Sequence, residues 1–320
     1  MLSEAAVKEV QEYALVGQAD KKGEFSTGQP IICSIKDSTS TFKNISKCKL
    51  INKKFKNKTM KEIAAESSLL IIGDGGLDLE KWIKSKKKWD KKTIETFWRE
   101  AVRLFRGLQV FKQYDLVHHD IKPQNIVYKE EDKRLNYIDF GLMRSFKTER
   151  AKCRDINRCR ANPHWNYPTD VFLMDRKLFD DLAKQNIEKR QQTFDAYIEH
   201  LRTNMNTPFV NAFYTLLKYI GVSQEDKNRF YERHMIDFRE LLLKPGTFDT
   251  FLDKSLAGFD VFGLGFTLMY VLARVKPWME MKTATAMEDV FFKMLTPNVY
   301  KRLTATQALA EYQKIIVEMS

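Results

Sequence analysis

One stretch limits what this chain can become more than any other. It is Val117 to Tyr128, V-H-H-D-I-K-P-Q-N-I-V-Y, followed a few residues later by Tyr137-Ile138-Asp139-Phe140-Gly141. The first segment offers a carboxylate (Asp120), a lysine two positions on (Lys122), a proline-fixed turn and an amide (Asn125). The second adds Asp139 on a turn opened by Gly141. Ile126-Val127-Tyr128 and Leu135 to Ile138 read as two short strands joined by the polar turn Lys129 to Arg134. Such a hairpin returns Asn125 and Asp139 to the same mouth.

Phosphoryl transfer from ATP needs this set of groups. One carboxylate orients the attacking hydroxyl, a carboxylate and an amide oxygen hold Mg²⁺, and a cation meets charge on the moving phosphoryl group. The residues resemble the catalytic loop and D-F-G motif of eukaryotic-type protein kinases, and Ile121 after the Asp is similar to the casein kinase branch. A lone D-F-G is weak evidence, whereas D-x-K-P-x-N followed at this distance by D-F-G is specific. The resemblance implies a Ser/Thr protein kinase that uses ATP and Mg²⁺ and acts on a protein substrate. It makes Asp120 the group that accepts the substrate's proton, and Lys122, typical of Ser/Thr rather than Tyr kinases, the group that steadies the phosphate. Asn125 and Asp139 become the Mg²⁺ ligands, and Gln124 joins them in the nucleotide site.

The expected fold class is α+β and protein-kinase-like: a mostly helical large lobe over residues 75–320 and a partial small lobe over 1–74. Ser3 to Val16 reads as an amphipathic helix, and the resemblance makes Glu9 the glutamate that pairs with an ATP-anchoring lysine. The glycine-rich loop and the lysine strand that the family places before this helix have no counterpart after Met1. Gly17, Gly23 and Lys36 do not replace them, because no glutamate occurs between Glu24 and Glu62. The expectation is therefore an incomplete small lobe, its first strands missing, with strands at Pro30 to Lys36 and Ser68 to Gly73. Ile72, Gly73, Asp74 and Gly75 form the expected hinge against the adenine edge, where glycine permits close approach. Asp78 is either a ribose contact or the N-cap of a helix from Leu79 to Ser85.

Thr93 to Phe111 places Ile94, Phe97, Trp98, Ala101, Leu104, Phe105, Leu108 and Phe111 on one helical face. His119 stands where the family often has an arginine that clamps an activation-segment phosphate, so little dependence on such a phosphate is expected. Residues 144 to 160 carry seven Lys/Arg against two acids. A basic surface there suits acidic or pre-phosphorylated protein targets. Tyr167-Pro168-Thr169-Asp170 stands for A-P-E, with Asp170 expected to pair with Arg302. Val171 to Ser255 is an insertion relative to compact kinases, similar to those of large DNA viruses. Phe259 to Gly265 opens an apolar helix whose Asp260 either holds the catalytic-loop backbone or is a first-turn residue favoured by the helix dipole.

Composition narrows the field. The 320 residues are 43% hydrophobic and 30% charged, as in a globular protein. No signal-peptide pattern is visible, the apolar run Val261 to Ala273 is shorter than a membrane span, and Cys33, Cys48, Cys153 and Cys159 are scattered, which suits a reducing, intracellular setting. The net charge of +12 sits largely in Lys47 to Lys58 and Lys84 to Lys92. Aromatic residues do not interleave with these lysines as a nucleic-acid stacking platform requires, so a solvated face is the favoured reading. Competing functions are a pseudokinase-like binding module without catalysis and a small-molecule phosphotransferase. Lys122-Pro123, the glycine of D-F-G and the Asp260 helix argue against the latter.

Overall fold

The computed structural model describes residues 4–34, 57–59, 61–63, 68–154, 164–203 and 208–319. They fall into two compact units, Met1–Asp74 and Gly75–Ser320.

In the smaller unit, helix α1 (Glu4–Ala19) buries Tyr13 and Val16, while Val7 and Leu15 stay largely exposed. Asp20 ends it. Its carboxylate accepts from the backbone N–H of Phe25 (3.2 Å) and Ser26 (2.9 Å) and from Ser26 Oγ (2.7 Å), folding the chain back on itself. Strand β1 (Ile31–Ser34) then pairs antiparallel with β2 (Ser68–Ile71), Ile31 opposite Ile71. β1 starts one residue later than the sequence reading and β2 ends two residues earlier, and Lys36 and most of Lys47 to Lys58 lie outside the described residues.

The larger unit opens with Gly76 at φ +82°, where a Cβ would come within 2.4 Å of the Tyr128 carbonyl. Only glycine lets the chain pass so close. Strand β3 (Leu77–Asp78) follows, then α2 (Leu79–Ser85), α3 (Lys91–Gln113) and β4 (Leu116–Val117). A 3-10 turn (Pro123–Asn125) leads into the hairpin β5 (Ile126–Lys129) and β6 (Arg134–Tyr137). The register Ile126 to Tyr137 is the pairing the sequence implies, and β3 adds to the free side of β5. All eight predicted apolar positions of α3 are buried. Phe97 stacks on Trp82 at 4.9 Å, and Phe105 stacks on Tyr312 at 4.5 Å.

Strand β7 (Arg144–Ser145) pairs with β4 and runs into α4 (Phe146–Arg154). After a 3-10 turn (Thr169–Met174) come α5 (Arg176–Ala183), α6 (Ile187–Thr203), α7 (Pro208–Ile220) and α8 (Gln224–Leu243). Helix α9 (Phe248–Val275) is the centre of the unit, buried along nearly its whole length and packed by α3, α10 (Met281–Leu295) and α11 (Ala305–Glu318). It starts well before Phe259, because Thr247 caps it and Phe248, Phe251 and Leu252 extend its buried face. The insertion read from sequence as ending at Ser255 therefore contributes the first two turns of the core helix. By length and composition α9 could cross a membrane, but 89% of its most apolar window is buried inside the protein.

Candidate active site

The loop from His118 to Asn125 is held from beneath by α9. Asp260 Oδ2 accepts the His118 N–H at 2.7 Å and Oδ1 accepts that of His119 at 2.9 Å. Asp260 sits in the middle of its helix, so it is no first-turn residue, and the reading that it holds the loop backbone is correct. These two bonds keep His119 at φ +67°, a left-handed conformation that costs a side-chain-bearing residue about 1–3 kcal/mol. Burial pushes the Asp260 carboxyl upward, while the two N–H donors oppose it.

His118 is fully buried and links two strand ends. Its Nδ1 accepts from the Asp120 N–H at 3.3 Å, so Nε2 carries the proton and donates to the Ile138 carbonyl at 3.2 Å. Its ring lies 5.2 Å from that of Phe140, which is itself buried. His119 stacks on Phe259 at 4.9 Å, and its Nε2 has no partner among the described residues. Burial, with the charges of Arg144 and Lys152 adding to it, lowers the His119 pKa to about 4. The ring is therefore neutral at pH 7 and offers no charge to a phosphate.

Asp120 is 7% exposed and the most heavily bonded carboxylate of the loop. Lys122 Nζ donates to Oδ2 at 2.6 Å and Asn125 Nδ2 to the same oxygen at 2.8 Å, while Asn166 Nδ2 donates to Oδ1 at 2.9 Å. Asn125 Nδ2 also reaches the Asp120 carbonyl at 2.9 Å. Both side-chain bonds of Asn125 thus leave from nitrogen, and Oδ1 remains as its acceptor for a cation. The Ile138 N–H donates to the Asn125 carbonyl at 3.0 Å, which extends the hairpin register to its mouth. Asp139 follows at φ +63° with its side chain exposed. Asp120, Lys122, Asn125 and Asp139 are therefore brought together by one loop and one hairpin.

Other expected site residues are placed differently. Gly75 precedes the close-approach Gly76 at the start of the larger unit. Asp78 accepts from the Lys81 N–H at 2.8 Å and pairs with Lys81 Nζ at 2.7 Å, so its carboxylate is engaged as the N-cap of α2. Gln124 turns its Nε2 to Glu80 and to the Tyr219 hydroxyl (3.2 Å), and its Oε1 is buried without a partner. Glu9, Ile72, Gly73 and Asp74 belong to the smaller unit. There Gly73 makes its close approach to the Thr27 carbonyl, 2.6 Å from where a Cβ would stand.

Beyond the loop, Arg302 Nη2 pairs with Asp170 in full burial, as the resemblance implied, and Arg302 Nε donates to the Thr296 carbonyl at 2.9 Å. Gly258 makes room for that guanidinium, since a Cβ there would stand 2.9 Å from Arg302 Cδ. The basic segment after Gly141 is less open than its composition implies. Arg150 pairs with Asp253 and Arg154 with Asp249, both acids on α9, and Arg158 and Arg160 lie outside the described residues. In the lysine run, Lys84, Lys86 and Lys91 pair with Glu80, Glu130 and Glu95. Cys153 is disulfide-bonded, contrary to the reading of scattered thiols, while Cys33 is free. Cys48 and Cys159 lie outside the described residues. Asn166 carries no motif signal. A polar residue between two aromatics, Trp165 and Tyr167, was the one hint that it is inward-facing.

Comparison with known proteins agrees with this geometry at a coarse level. The family model of the protein kinase domain matches residues 33–168, less than half of the chain but including every member of the Asp120 cluster up to Asn166. Mouse dual specificity protein kinase TTK is 31% identical over 84 residues, a stretch that is 25% of this chain and 9% of that protein. Both likenesses are to protein kinases, and the chain spans only about a tenth of the length of the TTK relative.

Proposed function

We propose that this chain is a protein kinase that transfers the γ-phosphoryl group of Mg²⁺-bound ATP to Ser or Thr hydroxyls of a protein. The observation that carries the reading is Asp120: a nearly buried carboxylate aimed by Lys122, Asn125 and Asn166, on a backbone fixed by Asp260. Held this way, it accepts the hydroxyl's hydrogen bond and takes its proton as the oxygen attacks. Lys122 lies 2.6 Å from that carboxylate, where its charge offsets negative charge on the group in flight.

The residues at the hairpin mouth fit a magnesium nucleotide. Asn125 keeps an amide oxygen free of protein donors, and Asp139 presents an exposed carboxylate beside it in sequence register. One carboxylate and one amide are a partial oxygen shell, as suits Mg²⁺, which takes its remaining ligands from phosphates and water. When bound, the metal neutralises charge on the phosphates. Gly75 remains assigned to the hinge with Ile72, Gly73 and Asp74, and Glu9 to the lysine-pairing role. Asp78 serves as the N-cap of α2, and Gln124, whose Nε2 bonds Tyr219 and whose Oε1 is unpartnered, stays in the nucleotide site. Neutral His119 and the Arg150 and Arg154 ion pairs favour an α4 that is held in place without phosphorylation.

The test is phosphate transfer to a degenerate peptide library containing Ser, Thr and Tyr acceptors, the last included because the TTK relative is dual specificity. Asp120→Asn should lower kcat by about 10²-fold or more with an unchanged melting temperature. Near-normal turnover in that variant would remove the assignment, and transfer to Tyr alone would remove the Ser/Thr reading.

A further inference from the structure

Helix α7 comes from the inserted segment and lies outside the stretch that resembles kinases. Yet one of its residues, Tyr219, touches both arms of chain that converge on Asp120. On one side its hydroxyl accepts from Gln124 Nε2 at 3.2 Å, next in sequence to Asn125. On the other its ring stacks on Trp165 at 4.7 Å and 20°, next in sequence to Asn166. Asn125 and Asn166 are the two amides that hold the two oxygens of Asp120. The end of α7 is itself pinned, because Arg274 Nη1 donates to the Tyr219 carbonyl at 2.9 Å and to the Tyr270 carbonyl at 2.8 Å. Arg274 belongs to α9, the helix that also carries Asp260.

We propose that Tyr219 is a positioning residue for Asp120, so that the inserted segment is a working part of the transfer site. Gln124 Oε1 has no partner, so the orientation of that amide rests on its two Nε2 bonds, to Glu80 and to Tyr219. Removing the hydroxyl leaves a part-buried N–H unpaired and the amide able to turn. Removing the ring leaves Trp165 with an edge contact to Phe266 at 5.4 Å and an empty face where Tyr219 lay. Trp165 then shifts, and Asn166, whose Oδ1 is also unpartnered, has only Asp120 to hold it. Oδ1 of the carboxylate then loses its fixed donor, while Oδ2 keeps Lys122 and an Asn125 whose neighbour in sequence is no longer braced.

The proposal rests on the kinase reading only for its catalytic meaning, so the experiment on the full chain reads structure and turnover separately. Hydrogen exchange is followed at Asn125 and Ile138, whose N–H groups bond the Lys122 and Asn125 carbonyls, and on α3 as a control. Tyr219→Ala should speed exchange at the two loop amides by about tenfold or more and leave α3 unchanged. Its kcat should fall about tenfold with the KM for ATP within about twofold of wild type. Tyr219→Phe, which keeps the stack and loses only the Gln124 contact, should fall between wild type and Tyr219→Ala in both turnover and loop exchange. Unchanged exchange at Asn125 and Ile138 in Tyr219→Ala overturns the proposal whatever the activity, and so does exchange that rises equally on α3. If the wild-type chain transfers no phosphate while the loop alone loosens, the kinase reading falls and the bracing stands.

Discussion

Two guanidinium–aspartate pairs flank the same part of the chain and share little beyond their chemistry. Arg302 and Asp170 meet with side chains 1% and 0% exposed, joined by Ser255 Oγ on the second carboxylate oxygen. Arg150 and Asp253 meet with 29% and 42% exposed, tying α4 to the start of α9. The first pair surrendered its water when the core closed, so each partner now depends on the other. The second keeps much of its hydration and gains little from pairing. Charge pairs near a site are therefore not equal witnesses: the buried one fixes the segment that carries Asn166 and Thr169, while the exposed one only biases where α4 lies.

The largest effect should come from breaking the buried pair one side at a time. Arg302→Leu leaves the Asp170 carboxylate without its counter-charge and should cost about 3–5 kcal/mol in urea unfolding. Adding Asp170→Leu to it should cost less than the sum of the two single changes. Additive losses would show that the pair does not act as a unit.

A smaller effect sharpens the buried side. His234 meets Thr169 Oγ1 through Nε2 at 2.8 Å, and burial, helped by the Arg302 charge, lowers its pKa from 6.5 to about 3. Above pH 6.5 the ring is neutral folded or unfolded, and it costs nothing. As the pH falls below 6.5 the unfolded chain takes up a proton that the folded ring refuses until about pH 3. Stability should therefore be lost on acidification through that window, by about 1.4 kcal/mol per pH unit for this ring. His119 loses stability in the same direction between 6.5 and about 4. His234→Gln should flatten the profile between pH 6 and 5 by about one proton's worth. An unchanged slope would mean that the ring is protonated in the fold.

The smallest effect tests the exposed pair. Arg150→Ala should leave the urea midpoint within scatter of wild type and should be indistinguishable from it at about 1 M salt. A clear loss there would erase the contrast between the two pairs.

Much of the site was legible because its groups are neighbours in sequence. Asp120, Lys122 and Asn125 share one loop, and a two-strand hairpin returns Asp139 to it by arithmetic that alternation and a polar turn supply. The buried face of α3 followed from spacing alone. Asp260 and the Asp170–Arg302 pair were legible by resemblance, since no local pattern tells an aspartate that it will meet a loop or a guanidinium far along the chain. Asn166 and Tyr219 were missed for the same reason, as their partners lie 46 and 95 residues away. The start of α9 was missed because Phe251 and Leu252 alternate with Asp249, Asp253 and Lys254, which reads as surface until Arg150 and Arg154 are seen to cover the acids. Asp78 admitted two readings until the Lys81 N–H was found on its carboxylate.

The ribosome delivers α9 before two of the helices that cover it. Stretched over 28 residues it is a rod of about 42 Å, longer than the oily interior of a bilayer, and α10 and α11 follow it in the chain, so they leave the ribosome after it. During that interval the nascent polypeptide displays a helix that by length and composition alone resembles a membrane span. Correct maturation is thus a race that ends only when the residues up to Glu318 have arrived, and a product cut short after Val275 should stick to lipid or to its own copies.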